Sequence, residues 1–477
     1  EMFLEGVKER ERRRAMAVEV TGEAQKARRN YHRVRDRLRE LRRELDRKRL
    51  ELPATASMDD KEELWELEQR VDDLQVEVER AFGRATRLYD QALGHQPDME
   101  RARRALADLY WERFREYEAR GERARAAYFE GLVRRYNDGQ YDDLLEGMAT
   151  VHLETSPAGA DAELCRYEEV NHRLVEKRIE RAGPTPTEPL RVEHGSYVFE
   201  VDLDGHVPVN VPVRLERLDE RNLDVELYRS GEIPEDFVVV PGGPFLSGEV
   251  RFGEPERDEE YLPDYAIKRH PVTCREYLDF LNALAAGGDL NAAKQHAPRQ
   301  PDGPSYFPLE EGRFRIPEED RDGDAWDPDW PICMINFHSA QAYADWRSTR
   351  DDRTYRLPTA EEWEKAARGV DGRTYPWGDN FDPSFCHMQD SREGRPMPAP
   401  VGSYAIDRSP YGAMDMAGNV SEWTSTTPSG SPSWRVVQGA SFASVDLMCR
   451  LDWNMQAEAD QRKTLFGFRL VTPLDED

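Results

Sequence analysis

Apolar residues recur at alternating spacings of three and four near the start of the chain, at Tyr31, Val34, Leu38, Leu41 and Leu45. That is a heptad seam on a helix. Leu52-Pro53-Ala54-Thr55-Ala56-Ser57 interrupts it, because Pro53 cannot sit in a helix interior. Ser57 suits the N-cap of a second helix, and the seam resumes at Leu64, Leu67, Val71, Leu74, Val78 and Phe82. Residues 28–50 carry eleven basic and four acidic side chains, and residues 59–80 carry ten acidic and three basic. Two helices of opposite charge joined by a short turn predict an antiparallel coiled-coil hairpin over 1–82. Exposed ion pairs contribute about 0.2–1 kcal/mol each, so the seam stabilises and the charges set the pairing.

The pattern then loosens. Ala102, Ala105, Leu106, Leu109 and Tyr110, then Ala119, Gly121, Ala124, Ala127 and Tyr128, place small residues against aromatic ones. Tetratricopeptide repeats pack in this way, so residues 83–182 are expected to form a TPR-like helical region, with a plain helical bundle as the other reading. After Gly183-Pro184-Thr185-Pro186-Thr187 the period falls to two, in 197–202 and 207–213, with turn signals at His194-Gly195-Ser196 and Asp204-Gly205. This predicts a small β domain over 183–234, read as a spacer. Phe237-Val238-Val239-Val240 is a buried strand ended by Pro241-Gly242, and Tyr277, Leu278, Phe280 and Leu281 mark an amphipathic helix. Asn336-Phe337-His338-Ser339-Ala340 caps another helix.

Composition narrows the classes. Charged residues make up 34% of the 477 residues, and the net charge of -28 argues against general nucleic-acid or anionic-membrane binding. No run approaches the roughly 20 apolar residues of a membrane span, and the first residues show no secretion signal. A chain beginning at Glu1 is also compatible with a fragment. Five scattered cysteines fit reduced thiols in a cytoplasm. Cys165, Cys274, Cys333 and Cys386 have no partner at metal-ligand spacing and are read as core residues.

From residue 235 onward an ordered set of motifs carries a resemblance. It includes Arg356-Leu357-Pro358-Thr359 through Gly369, Tyr375-Pro376-Trp377-Gly378, Asp415-Met416-Ala417-Gly418-Asn419-Val420-Ser421-Glu422-Trp423, Gly439 through Cys449, and Gly467-Phe468-Arg469-Leu470. Together they resemble the formylglycine-generating enzyme (sulfatase-modifying factor) family. The resemblance implies an α+β fold related to C-type lectins over 235–477. Residues 1–234 resemble the region that follows the kinase domain in bacterial multidomain serine/threonine kinases, although no kinase motif is present here.

In active members of that family two cysteines five residues apart hold copper and oxidise a substrate cysteine. The resemblance puts Ser444 at the first position and Cys449 at the second. A hydroxyl is a hard, weak ligand for Cu(I), so Cys449 alone should hold copper poorly. The other reading of Cys449 is a small buried hydrophobe. Ser421 also stands where the family often has an aromatic. The resemblance further implies a calcium site with carboxylates from Asp415 and Glu422 and carbonyls from Gly418 and Val420; a hydrogen-bonded turn is the alternative. Retroelement-diversified binding proteins of this fold use the segment before the closing Gly-Phe-Arg as a ligand surface. Here that segment holds Ser444, Val445, Asp446, Asp452, Trp453, Asn454 and Gln456.

The sequence therefore leads to a cytoplasmic recognition or regulatory protein. A protein partner is expected on residues 1–182 and on the C-terminal face, with kinase association as one form of it. A copper-dependent thiol oxidase is the rival, and a purely structural domain the third reading.

Overall fold

The computed structural model describes residues 2–51, 57–251, 254–300, 303–319, 323–428 and 430–474. The chain forms two compact units, Glu1–Glu146 and Gly147–Asp477. Among the described residues, no helix is long and apolar enough to cross a membrane.

The first unit is helical: α1 (Met2–Glu51), α2 (Met58–His95), α3 (Glu100–Ala119), α4 (Arg123–Tyr136) and the short α5 (Asp142–Glu146). The seam residues Tyr31, Val34, Leu38, Leu41 and Leu45 are buried, as are Leu67, Leu74 and Val78 on α2. Lys48 pairs with Glu63, Arg49 with Glu68, and Arg42 with Gln75 at 2.6 Å. Later positions on α1 thus meet earlier positions on α2, so the two helices run antiparallel. The expected break at 52–56 lies outside the described residues. On α3, Ala102, Ala105, Leu106, Leu109 and Tyr110 are buried as expected. On α4 the buried face is Ala126, Val133 and Tyr136, while Ala124, Ala127 and Tyr128 are exposed. The small residues singled out there lie on the solvent side.

Helix does not continue to residue 182, as the sequence reading expected. Strands begin at β1 (Met148–Ser156) and continue through β2 (Asp161–Val170) and β3 (Arg173–Pro184). The outward positions, among them His152 and Glu154, alternate with Val151, Leu153 and Thr155, which are all buried, a two-residue period that the helical reading passed over. After these come β4 (Leu190–Glu193), β5 (Gly195–Asp202), β6 (Val209–Leu215) and β7 (Glu220–Glu226). They form two sheets, β4-β1-β7 and β3-β2-β5-β6; β1 and β7 are parallel, and the other pairings are antiparallel. Val151, Leu164, Phe199, Val211 and Val225 belong to one apolar core, which continues through Phe237, Tyr277, Tyr343 and Phe468. The β segment is therefore larger than the expected 183–234. It shares a core with the C-terminal domain, so it is not a spacer.

The C-terminal domain is α+β. In chain order it contains β8 (Phe237–Val240), β9 (Gly243–Arg251), β10 (Glu254–Leu262), β11 (Tyr265–Lys268), α6 (Cys274–Ala286), α7 (Leu290–His296), β12 (Leu309–Glu310), β13 (Arg313–Phe314), α8 (Phe337–Asp351) and α9 (Ala360–Arg368). Then come β14 (Ser421–Trp423), β15 (Trp434–Gln438), β16 (Asn454–Glu458), β17 (Phe466–Gly467) and β18 (Val471–Pro473). Thr273 and Thr359 start α6 and α9 with reciprocal caps from Glu276 and Glu362, and Asn336 caps α8. Two small sheets, β18-β11-β8 and β16-β15-β14-β17, hold long irregular segments between them. Those segments carry the candidate site.

Candidate functional site

The segment after β15 turns at Gly439, whose φ of +76° places any Cβ 2.9 Å from the Trp363 ring. Only glycine fits there. Five residues on, Ser444 is buried, and its Oγ accepts the Ser441 N–H at 2.9 Å and meets the Ser441 hydroxyl at 3.0 Å. Its carbonyl accepts the Gln389 N–H at 3.0 Å. Ser444 therefore pins a turn. A 3-10 turn, Asp446–Cys449, comes next. Cys449 is 1% exposed, and its thiol donates to the Val445 carbonyl at 3.7 Å.

Cys449 packs with Tyr375, Trp377, Cys386, Met388, Ala417 and Ala440. The Cys386 thiol packs in the same cluster as Cys449, and this neighbour together with burial pushes it well above the usual thiol range. Spacing along the chain gave Cys386 no partner, yet the fold provides one. The signal was invisible because the two residues come from loops far apart in sequence. The residues at 444 and 449 do not fit the family's copper ion: one is a hydroxyl held by Ser441, and the other a buried thiol that donates to a carbonyl. Among the described residues, no group of three or more His, Cys, Asp or Glu could hold a metal.

The acidic turn is organised around Arg469. This guanidinium and Glu422 are both fully buried and form a two-pronged ion pair, Nε to Oε2 at 2.7 Å and Nη2 to Oε1 at 2.7 Å. Arg469 also donates to the carbonyls of Lys268 and Arg269 at 3.2 Å and of Met414 at 2.9 Å. Asp415 has a φ of +57°, and its Oδ2 accepts the Gly402 N–H at 2.8 Å. Burial pushes its carboxyl up to about 6. Asp407 accepts the N–H groups of Met416 and Ala417 at 3.1 and 3.0 Å, and burial beside Asp415 pushes it well above the carboxylate range. A Cβ at Gly418 would lie 2.6 Å from the His387 carbonyl oxygen, so packing alone requires glycine there. Val420 is buried and donates its N–H to the Gly418 carbonyl at 3.0 Å. Both oxygens of Glu422 are thus engaged by a guanidinium, and this donor set does not fit a calcium ion. The geometry matches a hydrogen-bonded turn. Arg469 stood in a motif without an assigned role, although a buried arginine demands a buried carboxylate.

The residues expected to form a ligand surface separate by exposure. Val445, Asp446, Leu447, Asn454 and Gln456 are exposed, and Ser444 is buried. Asp452 and Trp453 are half-buried. Asp452 pairs with Arg450 at 2.9 Å, and the buried Trp453 Nε1 has no partner among the described residues. Ser421 is buried, its hydroxyl likewise without a partner among them.

Comparison with known proteins places this domain. Residues 227–474 match the family described as "Sulfatase-modifying factor enzyme 1-like domain". "Inactive C-alpha-formylglycine-generating enzyme 2" of Mus musculus is 28% identical over 49% of this chain and 85% of its own length. "Formylglycine-generating enzyme" of Mycobacterium tuberculosis is 31% identical over 40% of this chain and 74% of its own. "Hercynine oxygenase" of Mycolicibacterium smegmatis is 31% identical over 49% of this chain and 60% of its own.

Proposed function

The chain belongs to the sulfatase-modifying factor enzyme 1-like family through residues 227–474, and we propose that it is a non-catalytic recognition or regulatory member of it. One relative is named inactive and others are named for reactions, so membership leaves the chemistry open. The observation that carries the reading is the state of position 444. A hydroxyl there is consumed by Ser441, and Cys449 is closed off at 1% exposure. A catalytic metal needs an open position for its substrate, and a sealed thiol offers none.

The recognition face in this reading is the exposed set Val445, Asp446, Leu447, Asn454 and Gln456, which combines apolar, charged and amide groups. Diversification of this segment by a retroelement is a variant of the same reading. The helical unit supplies the second contact. Its antiparallel α1–α2 pair is read as a coiled-coil hairpin and α3–α4 as TPR-like, coupling the domain to a protein partner in the bacterial cytoplasm, with a kinase as one form of it.

One observation favours the oxidase reading: Cys386 packs in the same buried cluster as Cys449 and brings a second sulfur there. A cuprous titration of the reduced full chain, with a bicinchoninate competitor, separates the two. The recognition reading expects no copper retained against the competitor. One equivalent bound, and lost in Cys449→Ala, would favour the oxidase.

A further inference from the structure

The β segment of residues 148–226 and the C-terminal domain line a half-open cavity of about 340 Å³. That is within the range of small-molecule sites, which form preferentially where domains meet. Part of its wall is apolar, with Val211, Val213, Leu223, Val225, Phe245 and Val370, and part is polar. Lys365, on α9, also lines it and is 1% exposed.

The Lys365 ammonium donates to the carbonyls of Pro241 at 2.8 Å and Gly243 at 3.0 Å. An ammonium has three donors, and the third has no partner among the described residues. No carboxylate among them lies within ion-pair distance of Lys365. Asp264 is close enough to act on it electrostatically. Its oxygens are spent, however, one on the Gly242 N–H and one on the Tyr228 hydroxyl at 2.7 Å. Burial accordingly pushes the amine down to about 8. Arg214 and Arg221, also lining the cavity, are matched by Glu216 at 3.6 Å and Asp219 at 3.4 Å. Tyr411 lines the cavity too, is more than nine-tenths buried, and its hydroxyl has no hydrogen-bond partner among the described residues.

A buried cation without a counter-charge is unfavourable, and folded chains pair such groups. We propose that this cavity binds a small monocarboxylate with an apolar body, whose carboxylate takes the third Lys365 donor while its body packs against the valine and phenylalanine wall. Lys365 is the buried cation of the cavity and selects a single negative charge, whereas the lining carboxylates Glu216, Asp224 and Glu259 are exposed and sit at its solvent side; the apolar part of the wall selects against sugars and nucleotides. The β segment then has a role, because it supplies about half of the wall. The cavity shares no lining residue with the Ser444–Cys449 segment, so the two sites stand or fall separately.

The test uses the full chain with 4-phenylbutyrate as probe, followed by calorimetry beside 4-phenyl-1-butanol and 4-phenylbutylamine. The carboxylate is expected to bind about tenfold or more tightly than the alcohol or the amine. Lys365→Gln should erase that preference. Leu223→Trp, which keeps the lysine and fills the cavity, should abolish binding of all three, and it serves as the test if Lys365→Gln does not fold. Equal affinity for acid and alcohol, binding unchanged in Leu223→Trp, or no saturable binding of the acid would overturn the proposal.

Discussion

Glu422→Gln is a near-isosteric change at the centre of the C-terminal domain. Both Glu422 oxygens accept from Arg469 at 2.7 Å, and neither residue is exposed. The amide removes the charge and turns one acceptor into a donor that faces guanidinium hydrogens. A buried guanidinium is left without its counter-ion, and breaking such a pair from one side costs about 3–5 kcal/mol. At about 1.5 °C per kcal/mol for a unit spanning Gly147–Asp477, the melting temperature should fall by roughly 4–7 °C. Arg469→Met should cost at least as much, since the carbonyls of Lys268, Arg269 and Met414 also lose their donor. The double variant should cost clearly less than the two single changes combined, because the groups are directly coupled. Urea unfolding followed by circular dichroism, with and without calcium or a chelator, measures all of this. A loss under about 1 kcal/mol, or wild-type protein destabilised by the chelator but not Glu422→Gln, would refute the reasoning and return Glu422 to the role of a cation ligand.

Three further expectations rest on separate features. Ser444→Cys puts back a thiol five residues before Cys449 and should raise retention of Cu(I) against bicinchoninate, at a stability cost of about 1 kcal/mol from the lost acceptor for the Ser441 N–H. Lys365 has its amine lowered from 10.5 to about 8. The unfolded chain therefore binds more protons between these values, and this group's contribution to stability rises by about 3 kcal/mol as pH climbs from about 8 to 10.5; urea titrations should show that increment in wild type and not in Lys365→Met. On α4, Ala126→Asp should destabilise the helical unit by about 2 kcal/mol or more, whereas Ala127→Asp should change it by less than about 0.5, reflecting which alanine is buried.

Much of this was legible because periodicity reports burial directly. The seams on α1 and α2, the cap at Asn336, and the ordered C-terminal motifs all state local rules that the fold obeys. The β1–β3 segment was missed because its outward positions are a mixture of polar and charged residues and its inward ones include Ala149, Leu153, Ala162 and Leu164, which a helical reading accepts equally well. On α4 the alanines are dense enough that several registers look equally good, and only packing chooses Ala126. The site failed differently. Cys386 with Cys449, and Arg469 with Glu422, are contacts between loops far apart in sequence, and no local spacing encodes them. The Lys365 cavity is of the same kind: the lysine sits in a helix whose amphipathic pattern accounts for its neighbours and is silent about its missing counter-charge.

The most direct test of the recognition reading is turnover. Reduced full-length protein, supplied with Cu(I) and oxygen, is incubated with a cysteine-bearing peptide while oxygen uptake and aldehyde formation are followed. The account predicts neither above the protein-free rate. Aldehyde formed with matching oxygen uptake, and abolished in Cys449→Ala, would contradict it.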